Sequence, residues 1–312
     1  MKNLLFVYNP HSGKGQVKEY LPEIIDIFTK GGYLVTAHPT QRREDAYETV
    51  KALAGEYDLV VCSGGDGTTN ETIKGIMDGG HHVPVGVIPA GTMNDFATSL
   101  GIPRSMPEAA RLAVDGSPEF VDIGAYNERY FTYVAAFGAF TKVSYATDQT
   151  LKNSIGAMAY IIAGINEAVQ HASEPPKYHL TIECGGKRAE GNYMYGMVAN
   201  SLSVGGIKGL AGRDISMNDG IFEGIFIKSP ETFIELQRTL NALIRRDFDD
   251  PCFDYFKGSD FAFKADGNVP WTLDGEYGGN SNEISLCVIH DALRIVVDKS
   301  KATGLKDDKT AD

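Results

Sequence analysis

Three short apolar runs, at residues 4–8, 59–62 and 83–88, each end in a polar or glycine-rich loop, and segments with helical spacing lie between them. Apolar runs of this length without alternation suit strands buried on both faces. Helical spacing is clearest over 16–30, through Val17, Tyr20, Leu21, Ile24, Ile25 and Phe28, and it returns over 44–54, 70–77 and 94–100. Residues 33–37 read as a further strand. Strands that alternate with helices build βαβ units around a parallel sheet. Ligands of such sheets bind beyond the carboxyl ends of the strands. The loops 9–15, 63–69 and 89–94 fall at those ends.

The central loop reads Ser63-Gly64-Gly65-Asp66-Gly67-Thr68-Thr69-Asn70-Glu71. Glycines at a strand-to-helix turn permit positive φ and leave main-chain N–H groups unshielded. With the positive end of a helix behind them, such groups favour a phosphate. Asp66 would repel a bare phosphate, so the turn suits a metal–nucleotide complex; the other reading is a tight connection. The first loop, Asn9-Pro10-His11-Ser12-Gly13-Lys14-Gly15, lacks Walker A spacing but offers a hydroxyl, a flexible glycine and a lysine. In the third, Gly91 supplies backbone freedom, Thr92 a hydroxyl, and Asn94 or Asp95 a helix N-cap.

Beyond residue 121 the texture changes. Stretches 120–126, 130–137, 178–184, 193–200, 222–227, 261–264 and 293–297 are β-like, bounded by turns such as Asn127-Glu128, Gly185-Gly186 and Asp219-Gly220. Helical segments at 156–171 and 230–246 interrupt them. This predicts an α/β domain over 1–121, which the chain end near 290–298 could join, and a mainly antiparallel β domain with inserted helices over 122–298. Residues 299–312, charged and poor in large apolar side chains, predict a flexible tail. Near the end of the β domain stands Trp271-Thr272-Leu273-Asp274-Gly275-Glu276, two carboxylates flanking a glycine after an apolar approach. A solvated hairpin and a catalytic turn both fit it.

Net charge is 29 − 41 = −12, which argues against a nucleic-acid backbone as partner and against broad docking to anionic lipid. Four scattered cysteines without a C-x-x-C pair predict neither a disulfide framework nor a zinc site and suit a reducing cytosol. The apolar start of the chain is too short for a signal h-region. The longest uncharged stretch, 191–207, falls short of a membrane span. A membrane would be met from its surface.

Asn9-Pro10-x-Ser12-Gly13-Lys14, Gly64-Gly65-Asp66-Gly67-Thr68-x-Asn70-Glu71, Pro89-x-Gly91-Thr92-x-Asn94-Asp95-Phe96-Ala97 and Asp274-Gly275-Glu276 stand in this order. The set resembles the soluble bacterial diacylglycerol kinase-like lipid kinases, whose catalytic domain is shared with eukaryotic diacylglycerol, sphingosine and ceramide kinases. The resemblance covers residues 1 to about 298 and implies a Rossmann-like nucleotide-binding α/β domain followed by a β-sandwich domain. It also implies ATP-dependent phosphorylation of a lipid hydroxyl. By motif, Asn9, Pro10, His11, Ser12, Gly13, Lys14, Gly64, Gly65, Asp66, Gly67, Thr68, Thr69, Asn70 and Thr92 would hold ATP, with Thr40 as a further contact. Asp274 would be the general base, and Asp66 and Glu276 would hold the Mg²⁺–phosphate end. Lys14, Asp95 and Asp122 resemble the family's charged network. A structural Mg²⁺ site would use the Asp219 carboxylate with the Ser216 and Ile221 carbonyls; a plain hairpin turn is the other reading of Asp219-Gly220.

Thr69 stands where many relatives carry an apolar residue. Diacylglycerol is the first acceptor the resemblance implies, with phosphatidylglycerol and ceramide-like lipids open, at a membrane reached from the cytoplasm. The apolar segment 155–165 reads either as an acyl-chain cleft or as a core-facing helix. Other function classes are an NAD kinase, which shares G-G-D-G, and a nucleotide-sensing regulator without activity. A homodimer paired through a β-domain edge is open.

Overall fold

Apolar runs buried on both faces form the first sheet. In the computed structural model, which describes residues 1–13, 15–138, 177–201, 203–204, 207–208, 216–245, 247–302 and 305, four strands pair in parallel. They are β1 (Lys2–Tyr8), β2 (Tyr33–Pro39), β3 (Leu59–Gly64) and β4 (Val85–Pro89), in the order β2-β1-β3-β4. Every residue of β3 and β4 is buried, as the unbroken apolar runs require. Helices α1 (Val17–Lys30), α2 (Asp45–Leu53), α3 (Asp66–Asp78), α4 (Asp95–Ser99) and α5 (Met106–Asp115) lie between and after them. The sequence reading omits α5, which packs its alanines against β4 and α1.

The chain divides into two units. One comprises Met1–Ile123, Ser216–Asp219 and Ile289–Asp312; the other comprises Gly124–Ile215 and Gly220–Val288. Strand β5 (Ser117–Tyr126) leaves the first unit and meets β6 (Arg129–Phe131) in the second. The remaining strands are β7 (Val134–Gly138), β8 (Tyr178–Cys184), β9 (Lys187–Ala199), the short pair β10 (Ser203–Val204) and β11 (Ile207–Lys208), β12 (Phe222–Lys228), β13 (Phe253–Gly258), β14 (Asp260–Leu273) and β15 (Glu276–Val297). In the second unit the order is β13-β12-β9-β7-β14-β15, with β8 beside β14 and β9, and the neighbours run antiparallel. Its core centres on the fully buried Trp271, whose ring lies 4.9 Å from Phe137 and 5.1 Å from Phe263. The helix Phe233–Arg245 joins β12 to β13.

Several boundaries differ from the sequence reading. Helix α3 starts at Asp66 rather than residue 70, because the glycines end the strand and the helix begins at once. The stretch 130–137 is two strands, since the N–H groups at 132–134 bind the Asp274 carboxylate. Strand β15 runs for 22 residues where only 293–297 look β-like, because its Gly278-Gly279-Asn280 segment hides the pattern. Lys14, the helical segment 156–171, the apolar stretch 155–165 and most of the expected tail lie outside the described residues.

Candidate functional site

The three loops of the first unit meet. Asn9 N–H donates to the Ser63 carbonyl at 2.8 Å, and Gly65 N–H reaches Ser12 Oγ at 3.3 Å. A Cβ on Gly13 would stand 2.4 Å from the Ala90 carbonyl oxygen, and one on Gly91 would stand 2.6 Å from Gly65 Cα. Contact this close admits only glycine, so residue type and loop convergence are one fact. Asn94 braces the third loop: its Oδ1 accepts Gly91 N–H at 2.9 Å and its Nδ2 donates to the Gly91 carbonyl at 2.7 Å. Asn94 occupies the N-cap position of α4, yet its side chain turns back on this loop and makes no cap, contrary to the sequence reading. Its own N–H donates to Asp66 Oδ2 at 2.9 Å, which ties the third loop to the first turn of α3.

Beside this junction lies a cleft of about 440 Å³, a volume within the range of small-ligand sites. Asn9, His11 and Ser12 line one wall, Gly65, Gly67 and Thr68 the floor at the start of α3, and residues 40–43 the far side. A helix N-terminus that opens into a cleft is an arrangement able to hold an anion. Thr40, the weakest of the expected contacts, lines it; Arg42 and Arg43 were not singled out, although the rule that places ligands at strand ends points to the loop after β2. That loop is held in place. Glu71, another lining residue, accepts Glu44 N–H at 2.9 Å, and Asp45 accepts Gln41 N–H at 2.6 Å, a bond that holds the Asp45 carboxyl below the usual carboxylate range.

Not every expected contact faces the cleft. Thr69 is buried and its hydroxyl donates to the Gly65 carbonyl, so the polar residue in this apolar position serves the helix. Gly64 packs against Thr68 with no room for a Cβ. Pro10, Gly13, Asn70 and Thr92 are not among the residues that line the cleft, and Thr92 is exposed. Asp95 is buried in the first turn of α4.

In the second unit, Asp274 and Gly275 form the two-residue turn between β14 and β15, both with positive φ (51° and 82°), as a tight hairpin of this hand needs. Gly275 is exposed, but the Asp274 carboxylate is not solvated. Asp274 is buried, and its Oδ2 accepts Thr132 N–H at 2.6 Å and Thr132 Oγ1–H at 3.0 Å. Its Oδ1 accepts the N–H groups of Tyr133 and Val134 at 2.9 and 3.1 Å. Burial pushes its pKa up; these donors pull the other way without cancelling it. A rigid buried carboxylate of raised basicity is fitted to take a proton. Glu276, two residues on, is exposed.

Of the expected structural metal ligands, Ser216 and Asp219 belong to the first unit and Ile221 to the second. The Ser216 hydroxyl donates to Asn218 Oδ1 at 2.7 Å. The first unit also holds a group of which the sequence reading names only Asp122, as part of the expected charged network. The fully buried Asp122 accepts His290 Nδ1–H at 2.7 Å and Asp291 N–H at 2.9 Å.

Residues 3–126 match the diacylglycerol kinase catalytic domain family. The chain is 33% identical over 309 residues to the diacylglycerol kinase of Bacillus subtilis (strain 168), covering 98% of this chain and 100% of that one. It is 33% identical over 280 residues to the diacylglycerol kinase of Staphylococcus carnosus (strain TM300), covering 89% and 90%. A crystal structure of a diacylglycerol kinase from Bacillus anthracis shares the fold, with a TM-score of 0.80 at 21% identity over 96% of this chain and 98% of that one.

Proposed function

The chain belongs to the diacylglycerol kinase family and is a lipid kinase, and on that premise we propose that it transfers the γ-phosphate of ATP to diacylglycerol, giving phosphatidic acid. The observation that carries this reading is the packing of three glycine loops together beside a cleft, lined by the first two of them, at the N-terminus of α3. In the proposal the first unit is the Rossmann-like nucleotide domain and the second the β-sandwich lipid domain. Asn9, Ser12, Gly65, Gly67, Thr68 and Thr40 hold the nucleotide, and Lys14 adds a cation to the phosphates. Thr69 supports the loop from behind.

An all-oxygen donor set suits Mg²⁺. Asp66 and Glu276 would hold it at the phosphate end, and Asp219 with the carbonyls of Ser216 and Ile221 would hold a structural ion. Held by Asp66 and Glu276, such an ion would supply charge neutralisation for the phosphoryl group. Phosphoryl transfer then needs positioning and a proton acceptor more than covalent help. Asp274 takes the proton of the lipid hydroxyl as the bond to phosphorus forms. Its four existing donors fix both oxygens; the Thr132 hydroxyl, the one donor that rotates freely, yields its place to the substrate.

No helix among the described residues is long and apolar enough to cross a membrane, and the proposed enzyme meets its lipid at the cytoplasmic bilayer surface. Labelled ATP with diacylglycerol vesicles, and separately with NAD, tests the assignment. Label in phosphatidic acid is expected. Label in NAD alone would make the chain an NAD kinase, and ATP binding with no transfer to any acceptor would make it a sensor.

A further inference from the structure

The four hydrogen bonds that the Asp274 carboxylate accepts are not equivalent. Thr132 is buried between the end of β6 and the start of β7, and the N–H groups of residues 132–134 are three of the donors. Backbone contacts hold that segment from two sides. Asp274 N–H donates back to the Val134 carbonyl at 2.8 Å, and Asn200 N–H donates to the Tyr133 carbonyl at 3.0 Å. Val134 then joins the ladder opposite Ala199, so these amides are fixed. The fourth donor is the Thr132 hydroxyl, 3.0 Å from Oδ2, and one rotation about χ1 removes it.

The two carboxylate oxygens therefore differ. Oδ1 accepts from the amides of Tyr133 and Val134, whereas Oδ2 accepts from one amide and this hydroxyl. An ionised carboxylate offers about four lone-pair sites, so an incoming alcohol can bind only where a donor gives way. That place is on Oδ2, and the group that stands there is itself an alcohol. Burial and the four donors act on this carboxyl more strongly than the titratable side chains nearby, Tyr133 on the same segment and Glu276 and Tyr277 on β15. Loss of one donor is then felt directly in its basicity.

We propose that the Thr132 hydroxyl is an internal competitor of the acceptor: it occupies Oδ2 of Asp274 in the resting enzyme, and the acceptor hydroxyl must displace it to reach the base. The acceptor proton then passes to Oδ2 while the acceptor oxygen bonds to the γ-phosphorus and the bond from phosphorus to the ADP oxygen breaks. The proposal rests on the reading of Asp274 as the base. It adds which oxygen acts and makes Thr132 a determinant of acceptor affinity.

The test compares Thr132→Val, which keeps the amide and nearly the same shape but lacks the hydroxyl, with Thr132→Ser, which keeps the hydroxyl. The acid limb of kcat/KM reports the enzyme before the acceptor binds, and that of kcat the loaded complex. With water-soluble dihexanoylglycerol and saturating ATP, Thr132→Val should move the kcat/KM limb up by about one pH unit, because the ionised carboxylate loses a donor. The kcat limb should stay in place, since the hydroxyl has already left in that complex. KM for the acceptor should then fall about ten-fold above both limbs. Thr132→Ser should return the kcat/KM limb to its wild-type position. Equal movement of both limbs, or movement of neither, overturns the proposal, and so does failure of serine to restore the limb. If Thr132→Val does not fold, Thr132→Ala is read by the same criteria. Carbon-13 titration of the resting Asp274 carboxylate, assigned by its loss in Asp274→Asn, should show the same one-unit rise without any turnover. Retained turnover in Asp274→Asn would remove the base itself; an inactive Asp274→Asn beside an unmoved Thr132→Val limb would remove only Thr132.

Discussion

A Cβ at Gly91 would strike Gly65 Cα at 2.6 Å and Asn94 Oδ1 at 2.8 Å. The first obstacle is backbone, which cannot swing aside. Gly91→Ala should therefore separate the second and third loops, at a cost of about 1–3 kcal/mol in stability by overpacking. ATP binding should weaken with it, and thermal melting and nucleotide titration check both. At Asp274 the decisive quantity is the proton. Burial raises its folded pKa above the usual carboxylate value. Between the unfolded and folded values the folded state binds the extra proton, so this residue favours folding at low pH and that contribution is lost as pH rises through the folded value. Activity runs the opposite way, because the base must be ionised. Turnover should fall on acidification at a pH above the ordinary carboxylate range; an acid limb at the ordinary value would remove Asp274 from that role.

Among elements, legibility followed burial and turn chemistry. Strands β1, β3 and β4 were readable because burial on both faces leaves unbroken apolar runs. The loops were readable because close backbone approach demands glycine. Helix α5 lies outside the sequence reading because its buried face is made of small alanines, which mark a core only weakly. The break at residues 132–133 was not legible, since its cause is a carboxylate more than 140 positions away. His290 is another such case. Asp122 on β5 joins three segments: it accepts from His290 and from Asp291 N–H on β15, and its own N–H donates to the Met217 carbonyl. Partial burial opposes protonation of His290, but the hydrogen bond and charge of Asp122, aided by Asp291 and Asp219, outweigh it and raise the pKa above 6.5. Protonated His290 therefore adds stability at acid pH that is lost as pH rises through the folded value. With a half-exposed ring the effect is at most about 1 kcal/mol. His290→Asn should flatten the decline in melting temperature as pH rises from the ordinary histidine pKa through the raised one; an unchanged slope would show that another group titrates.

At the scale of the whole molecule, the first unit carries a cleft beside the start of α3 and the second carries the buried carboxylate of Asp274. The cleft was largely visible in the sequence, because its loops follow their strands directly and its glycines are conspicuous. The environment of Asp274 was not, because its donors come from a distant stretch that reads as plain strand. The most direct test is Asp274→Asn, measured for ATP binding and for turnover on diacylglycerol in the same preparation. The amide keeps an acceptor oxygen for the N–H groups of residues 132–134 but loses the basicity. Near-normal ATP binding with turnover lowered by at least about 100-fold is the predicted result. Turnover close to wild type would contradict the account, since proton removal would then be served by another group.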